Sequence, residues 1–535
     1  MLRCQRRPST IEQARHPPAL PMAWKPWDPL PSAAREAAAH RSVLHVWRRA
    51  LFRREETDDM RKTLSACKAD GQGGADGKCQ KKGVGGVVKA FASTNALDPG
   101  VMDMCRDSVA IIRDLDYKSH DVLDTIRKLR TILSREKDPP IDEVIMSGAA
   151  DVFINVLAAG SGGEVPDRTL YETAWALTNI TSGSHEQTAY VVHRGVVPEL
   201  MELFGGHESD NVAEQAIWAL GNIAGDSVEF RDLVIEAGAF RVFAERAPQG
   251  SPKRIGDCEF GVYAGISFLR NAVWAFSNLC RRKPPPPMEE VAPLIPWVVT
   301  CLHSDDSEVL QDAAWIMAYI AAIPDSAQII IEAGATPRLV DLMLDPAATG
   351  PQLPALQAMG NLATGSDAQT QVLINCGLIK ALHSPLASDK DTKLKEACFT
   401  ISNIAAGTSD QIQALCDAGI MSKVIPLIDS ELENVRREAI WAVGNAISGG
   451  TNDQVRFLVS YGATKALCSY IQKSAGNPDL TKVALIALSD ALHHCEGEVK
   501  DEIEECPGLD CIERLQEHPS QDVHLSAVKV LKYWE

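Results

Sequence analysis

A helical face that recurs along the chain constrains the fold more than any other feature. It is clearest in residues 211–226, NVAEQAIWALGNIAGD, where Gln215, Trp218, Asn222 and Asp226 follow one another at spacings of three, four and four residues. In a helix this spacing places all four side chains on one face. A Trp beside an Asn is unusual for a core face, because the indole needs apolar cover while the amide needs hydrogen-bond partners.

The same two positions recur before and after this helix. Starting from Asn179, the second position of the pair returns at steps of 43, 56, 41, 42, 42 and 42 residues. A period near 42 is typical of armadillo and HEAT repeats, whose helices stack so that each repeat contacts only its neighbours. We call the resulting row of side chains the ladder. Its pairs are Trp175 and Asn179, Trp218 and Asn222, Trp274 and Asn278, Trp315 and Tyr319, Gln357 and Asn361, Phe399 and Asn403, and Trp441 and Asn445.

The predicted fold class is all-α, a right-handed superhelical solenoid of about ten armadillo repeats over residues 102–535. Four segments, VIEAGAFRVFAE, IIEAGATPRLVDLM, LCDAGIMSKVIPLI and LVSYGATKALCSYI, share a Gly that allows a positive φ between two helices. The long step of 56 residues predicts an inserted surface loop near residues 256–267. The segments LSDALHHCEG and HLSAVKVLKYW are expected to form degraded final repeats.

The residues before the solenoid differ in composition. Residues 1–33 are rich in Pro and Arg and are expected to be a disordered extension, with a transit segment as the alternative. Residues 34–82 form a flexible basic segment, and residues 83–101 a linker. The basic segment carries paired cations separated by acids at helical spacing. These cations are Arg48, Arg49, Arg53, Arg54, Arg61 and Lys62, followed by the shorter cluster of Lys78, Lys81 and Lys82.

Composition narrows the possible functions. Lys and Arg total 53 against 71 Asp and Glu, so the formal net charge is -18. This balance suits basic partners and argues against direct nucleic-acid binding, although solubility alone explains it equally well. The 14 cysteines include no CxxC pair, which predicts reduced buried thiols in an intracellular protein. No catalytic constellation, metal-ligand spacing or membrane-spanning run stands out, so we expect no enzyme activity, cofactor, metal or membrane contact.

The ladder suits an extended basic peptide. Evenly spaced Asn amides pair with the N–H and C=O groups of a peptide backbone whatever its sequence. Slots between stacked Trp rings accept the apolar stems of Lys or Arg, with the charge at the slot end. Four acids are placed to meet that charge: Asp226, Asp312, Glu396 and Glu438. The alternative is that Trp and Asn only hold neighbouring repeats together, but repetition at one helical phase favours binding.

The ladder helices WALTNITSG, WALGNIAGDS, RNAVWAFSNLCR, GNLATGSDAQTQ, KEACFTISNIAAG and EAIWAVGNAISGGT resemble those of the importin alpha family, and SREKDPPIDEVI resembles its first repeat. The resemblance covers residues 101–535, and residues 41–82 more loosely resemble the importin-beta-binding domain. It implies a nuclear import adaptor that shuttles between cytoplasm and nucleus. The implied partners are cargo proteins with basic nuclear localisation signals, importin beta and an export receptor. An armadillo scaffold for adhesion or signalling complexes is the alternative function.

The resemblance also implies binding sites. The major site comprises Trp175, Asn179, Gly183, Thr188, Gln215, Trp218, Asn222, Asp226, Asn271, Trp274 and Asn278. An intermediate part of the groove comprises Asp312, Trp315 and Tyr319. The minor site comprises Asn361, Glu396, Phe399, Asn403, Glu438, Trp441 and Asn445. Two residues depart from the family pattern, because Phe399 replaces a Trp and Gln357 replaces an Arg.

Overall fold

The computed structural model describes residues 97–160, 163–246, 265–473 and 477–535. All regular elements within these ranges are helices, which confirms the all-α prediction. Three are short 3-10 helices, at Ala292–Leu294, Ile425–Asp429 and Leu515–Glu517, and the others are α-helices. In chain order they are α1 (Pro99–Asp114), α2 (His120–Leu133), α3 (Ile141–Met146), α4 (Ala149–Gly160), α5 (Asp167–Thr181), α6 (His185–Val192), α7 (Val196–Gly206), α8 (Asp210–Asp226), α9 (Val228–Glu236), α10 (Ala239–Arg246), α11 (Gly265–Cys280), α12 (Met288–Val291), α13 (Ile295–Cys301), α14 (Ser307–Ala321), α15 (Ser326–Glu332), α16 (Ala335–Leu344), α17 (Gln352–Leu362), α18 (Asp367–Asn375), α19 (Leu378–Ala381), α20 (His383–Leu386), α21 (Asp391–Ala405), α22 (Ser409–Asp417), α23 (Met421–Val424), α24 (Glu433–Gly449), α25 (Asn452–Ser460), α26 (Ala463–Lys473), α27 (Pro478–Glu505), α28 (Gly508–Arg514) and α29 (Gln521–Leu531).

One row of helices runs through the whole described part of the chain. Each helix in this row packs against the next, as expected for a stack whose repeats touch only their neighbours. The row matches the predicted number of repeats and carries the ladder on its seven members from α5 to α24. Its ten helices are α2, α5, α8, α11, α14, α17, α21, α24, α27 and α29.

The core is built where these row helices meet the outer helices of their repeats. Most residues of α8 are buried, because small and branched apolar side chains cover its remaining faces. Between α7, α10, α11 and α13, four aromatic rings meet in edge-on and tilted contacts with centroids 5.1–6.1 Å apart. Burial of one such side chain contributes about 1.5–3 kcal/mol. These four residues are Phe204, Phe243, Phe276 and Trp297.

Glycines at the corners between the outer helices behave as the sequence predicts. Gly238, Gly334, Gly419 and Gly462 have φ values of 91°, 78°, 65° and 87°. An L side chain is strained in this left-handed region, so Gly is the residue that allows the chain to turn there. The four predicted corners are therefore confirmed.

Capping boxes start several outer helices and also join repeats. At α22, Thr408 accepts from the backbone N–H of Gln411, while the Gln411 side chain accepts from the backbone N–H of Thr408. The same Gln411 donates through Nε2 to the carbonyl of Asp367 in the preceding repeat, at 2.8 Å. One residue thus satisfies an otherwise unpaired helix end and fixes the position of the neighbouring repeat. Equivalent boxes begin α6, α18 and α25.

Several predictions concern residues outside the described ranges. They include the extension at 1–33, the basic segment at 34–82, most of the linker at 83–101 and most of the predicted inserted loop. In the described ranges, no helix has the combination of length and apolar character that crossing a lipid bilayer requires.

Candidate functional site: the ladder

Aromatic residues of the ladder stack on small residues of the preceding row helix. Trp274 of α11 lies against Gly221 of α8 so closely that a Cβ at Gly221 would be 2.5 Å from Cζ3 of the indole. Phe399 of α21 lies against Gly360 of α17 in the same way, with its Cδ1 3.2 Å from the corresponding point. Glycine immediately before the ladder Asn therefore lets the next aromatic ring approach the helix backbone.

The exposure of the ladder aromatics changes along the stack. Trp218 and Trp274 are each only 6% exposed, whereas Trp441 is 39% exposed. Trp175, Trp315 and Phe399 are intermediate. The rings of the predicted major site thus form walls between repeats, and the minor site presents a more open ring.

The ladder asparagines connect consecutive row helices. Asn445 donates from Nδ2 to the carbonyl of Ser402 at 3.0 Å, and Ser402 immediately precedes the ladder Asn of the repeat before. The same offset recurs in four further bonds, from Asn222 to Thr178, from Asn278 to Gly221, from Asn361 to Ala318 and from Asn403 to Gly360. One amide hydrogen of each of these residues therefore holds neighbouring repeats together, as the structural alternative proposed.

Two other polar atoms of the ladder make no hydrogen bond between repeats. Asn222 Oδ1 and Gln215 Oε1 are buried without a hydrogen-bond partner among the described residues. A buried unpaired acceptor costs about 1–3 kcal/mol, so each gains stability when a donor reaches it. Asn222 is fully buried, while Asn361, Asn403 and Asn445 are half-buried and more accessible to a ligand.

The predicted acids already have cationic or polar neighbours. Asp226 Oδ2 lies 2.6 Å from Nδ1 of His185. Glu396 accepts from Lys395 at 2.8 Å and from Gln357 at 3.2 Å. A bound cation must therefore compete with these contacts or share the carboxylate.

The two other predicted acids are largely covered. Glu438 accepts from Nε of Arg437 at 3.2 Å and is 8% exposed. Asp312 is 4% exposed. Each lies three residues before a ladder aromatic, as the spacing predicts, but beneath the surface that a ligand first meets.

The Asp226 carboxylate sits in a corner formed by three elements. The His185 ring at the start of α6 stacks on Phe230 of α9, with centroids 5.2 Å apart and planes inclined by 14°. Arg282, which follows α11, donates from Nη2 to the backbone carbonyls of Gly225 and Asp226 at 2.6 and 3.0 Å. Arg281 reaches the Gly225 carbonyl at 3.1 Å. The guanidinium groups thus stabilise the C-terminal end of α8.

An arginine covers the first ladder Trp. The guanidinium carbon of Arg130 on α2 lies 4.1 Å from the centroid of Trp175. Glu172 orients it, accepting from Nε of Arg130 at 2.8 Å and from Nε of Arg127 at 3.1 Å. Within the chain itself, a cation therefore packs over the face of a ladder aromatic. The acid that pairs with this cation lies three residues before that aromatic.

The remaining predicted site residues have supporting positions. Thr188 is fully buried and donates to the Thr181 carbonyl at 3.2 Å, and Gly183 is exposed nearby. Asn271 donates to Oε1 of Glu214 at 3.0 Å. Trp315 and Tyr319 stack with centroids 5.6 Å apart.

Four residues of this surface were missed by reasoning from the sequence: Arg130, Glu172, His185 and Arg282. Glu172 carries a usable signal, because it lies three residues before Trp175 like the acids before Trp315 and Trp441. His185 lies 41 positions before Asp226, close to one repeat period, but nothing in the sequence shows that their side chains meet.

Comparisons with known proteins identify the family. The armadillo/beta-catenin-like repeat family matches residues 184–225 and 408–448, and the atypical Arm repeat family matches residues 498–535. Importin subunit alpha-1b of Oryza sativa subsp. japonica is 38% identical over 425 residues, covering 77% of this chain and 76% of the relative. The chain belongs to the importin alpha family. Importin subunit alpha-3 of Arabidopsis thaliana is 40% identical over 432 residues, covering 78% of this chain and 77% of the relative.

A solved structure shares the overall fold of this chain. The crystal structure of an engineered protein aligns with a TM-score of 0.68 and 25% identity, over 80% of this chain and 98% of its own. Family membership confirms the resemblance drawn from the ladder helices. Membership of this family implies a nuclear import adaptor role.

Proposed function

We propose that the ladder of this importin alpha binds nuclear localisation signals as extended Lys/Arg-rich peptides. The observation that carries the proposal is the recurrence of an aromatic ring and an amide one helical turn apart on five row helices, α5, α8, α11, α21 and α24. Ladder amides on these helices donate to the carbonyl just before the ladder position of the preceding row helix. Constant spacing suits a peptide backbone, which repeats its N–H and C=O groups regularly. The aromatic walls suit the aliphatic stems of basic side chains.

Electrostatics supports a basic ligand. The chain is acidic overall, with a formal net charge of -18, which favours encounter with cationic peptides. At the surface itself, Arg130 over Trp175 is an intramolecular example of the same cation–aromatic–acid arrangement. The acids favour basic peptides over the acidic or phosphorylated partners that a scaffold would take.

In the proposed major site, a ligand ammonium replaces His185 beside Asp226. The Asp226 side chain is 14% exposed, so the pair would be largely desolvated. We expect Asp226→Lys to weaken binding by about 2–5 kcal/mol, because it places a like charge where the ligand cation must sit.

Calorimetric titration of the full chain with a single-cluster Lys/Arg peptide tests this site. Glu236→Lys is the matched control, since it makes the same charge change at an exposed position in α9. Near-normal affinity of the folded Asp226→Lys protein would contradict the assignment. Equal weakening in both variants would indicate only a loss of general attraction.

In the proposed minor site, Glu396, Phe399, Asn403, Trp441 and Asn445 take the same roles. The exposed ring of Trp441 offers one wall and the half-buried Phe399 the other. A peptide with two basic clusters spans both sites and gains from linkage, because the second contact is intramolecular. Tighter binding of a two-cluster peptide than of either half is the expected result.

We propose further that residues 34–82 form the importin-beta-binding segment, with residues 83–101 as its linker to the solenoid at 102–535. The paired cations of this segment support the assignment. Deletion of residues 1–82 should abolish capture of importin beta in a pull-down, and retained capture would refute the assignment.

If Lys78, Lys81 and Lys82 compete with cargo for the ladder, the same deletion tightens cargo binding. An export receptor for recycling is the remaining proposed partner.

A further inference from the structure

Two cysteines meet in the last repeats of the solenoid, C-terminal to the ladder. Cys468 lies on α26, and Cys506 lies in the short connection between α27 and α28. Both sulfurs lie against Gly508. A Cβ added at this glycine would be 2.9 Å from Sγ of Cys468 and 3.2 Å from Sγ of Cys506. The Cys506 thiol also donates to the carbonyl of Ile503, with Sγ 3.6 Å from the oxygen. Glycine at this position is therefore what leaves room for the sulfurs to approach each other.

The two thiols have different environments. Cys468 is fully buried, and its interaction with the Cys506 thiol together with burial raises the pKa of the Cys468 thiol. Cys506 is half-buried, and its interaction with the Cys468 thiol is the main reason that the pKa of the Cys506 thiol is lowered. Backbone N–H groups of Gly508 and Cys506 also stabilise the thiolate, while burial and the nearby Glu502 oppose it.

The charged neighbours do not exclude a thiolate. Lys465 lies on the same helix as Cys468, pairs with Glu505 at 3.1 Å and interacts with Cys506. Cys511 is a third thiol on α28, and its sulfur accepts from Nη2 of Arg514 at 3.0 Å. A reactive thiolate beside a buried protonated thiol is the arrangement of an attacking and a resolving cysteine.

We propose that Cys506 and Cys468 form a reversible thiol–disulfide site that hydroperoxides oxidise. The Cys506 thiolate attacks one oxygen of hydrogen peroxide, so that an S–O bond forms, the O–O bond breaks and hydroxide leaves. Cys506 is then a sulfenic acid. The loss of negative charge on Cys506 removes the main barrier to deprotonation of Cys468. Its sulfur attacks that of Cys506, the S–S bond forms, and the sulfenic oxygen leaves as water with the Cys468 proton.

The complete step consumes one peroxide and two thiols and yields one disulfide and two waters. Peroxide is reduced by two electrons and the cysteine pair is oxidised by two. The new bond links α26 to the connection after α27 and so ties together the terminal helices. A dithiol reductant reverses it by exchange.

Peptide mapping of the full chain tests the proposal directly. The chain is treated with hydrogen peroxide at low excess, its free thiols are alkylated, and it is digested with trypsin without reduction. Cleavage after Lys and Arg leaves Cys468 in peptide 466–473 and Cys506 with Cys511 in peptide 501–514. We expect a disulfide between these two peptides, lost in Cys506→Ser and in Cys468→Ser and kept in Cys511→Ser. Cys376→Ser, at a half-buried cysteine elsewhere in the solenoid, is the control that should also keep it.

If a variant fails to fold, disulfide mapping of the wild-type chain alone still tests the proposal. A bridge within peptide 501–514, or alkylation of Cys468 after oxidation of other cysteines, would overturn the proposal.

Alkylation rates in the reduced chain supply a second measurement. The rate at Cys506 should rise to half its plateau below the ordinary thiol pKa of about 8.5, because the pKa of the Cys506 thiol is lowered. At neutral pH it should exceed the rate at Cys376 by roughly tenfold. A half-rise at or above that ordinary value would contradict the assigned thiolate.

Discussion

Nδ1 of His185 lies 2.6 Å from Oδ2 of Asp226, so an imidazole of one repeat contacts the carboxylate of the next. The imidazole is held in place by stacking on Phe230, while its side chain remains 58% exposed. A ligand cation that approaches Asp226 therefore meets a neighbour that is ordered but accessible. His185 is expected to act as an intramolecular competitor at the proposed major site.

The first prediction follows from that competition. His185→Ser should tighten binding of a single-cluster basic peptide by about two- to tenfold, because the ligand cation no longer displaces a hydrogen bond worth about 0.5–1.5 kcal/mol. His193→Ser is the control, because His193 also contacts the Phe230 ring but lies outside the Asp226 contact. Calorimetric titrations of both variants supply the comparison. Weaker binding by His185→Ser would show that the imidazole orients Asp226 for the ligand instead of competing with it.

The second prediction concerns the minor site. Phe399→Trp should strengthen binding there by a few-fold, because an indole gives a better cation–π face, worth about 0.5–1 kcal/mol at an exposed site. The affinity of the major site should not change. The preference of short basic peptides for the major site over the minor site should therefore be weaker in the variant. Site-specific fluorescence or crystal soaking measures occupancy. Phe457→Trp, on α25, controls for the added indole. Equal occupancy of both sites by a short peptide in the unmodified chain would disprove the asymmetry.

The third prediction concerns the bonds between repeats. Asn222→Ala removes the Nδ2 donor to the Thr178 carbonyl, which still accepts from Oγ1 of Thr181 at 3.1 Å, so the expected loss in the free energy of unfolding is that of one hydrogen bond, about 0.5–1.5 kcal/mol. Asn445→Ala removes the equivalent donor at a half-buried position, where water partly replaces it. Denaturant midpoints should therefore fall more for Asn222→Ala. Identical midpoints would mean that the ladder amides contribute little to stacking.

The fourth prediction separates backbone strain from crowding at glycine. Gly462 has φ of 87°, and a Cβ added there would meet no atom within 4 Å, so Gly462→Ala suffers only from its backbone conformation. A loss of about 1–2 kcal/mol in the free energy of unfolding is expected. Gly206 also has open space around it but lies within α7. Gly206→Ala should leave the denaturation midpoint unchanged or raise it, and similar losses in both variants would contradict this explanation.

Much of the fold could be predicted from the amino-acid sequence. The period near 42 residues identifies a repeat, the spacing of Trp and Asn identifies one helix face, and the corner glycines mark the turns. Each of these signals is local, or repeats at a fixed distance, because a solenoid is stabilised by contacts within a repeat and with its neighbours. The all-α class follows from them, and the family from the resemblance of the ladder-helix sequences to those of importin alpha.

The tertiary structure decides which atoms meet across that period. The sequence places His185 about one repeat before Asp226 and Arg130 about one repeat before Trp175, but helix phase and rotamer determine that these side chains touch. Tertiary packing also determines that ladder asparagines such as Asn445 donate an N–H to the preceding helix, and that Gly508 admits two sulfurs. Hydrogen bonds need atomic distances near 3 Å, whereas a repeat period specifies only which helices are adjacent.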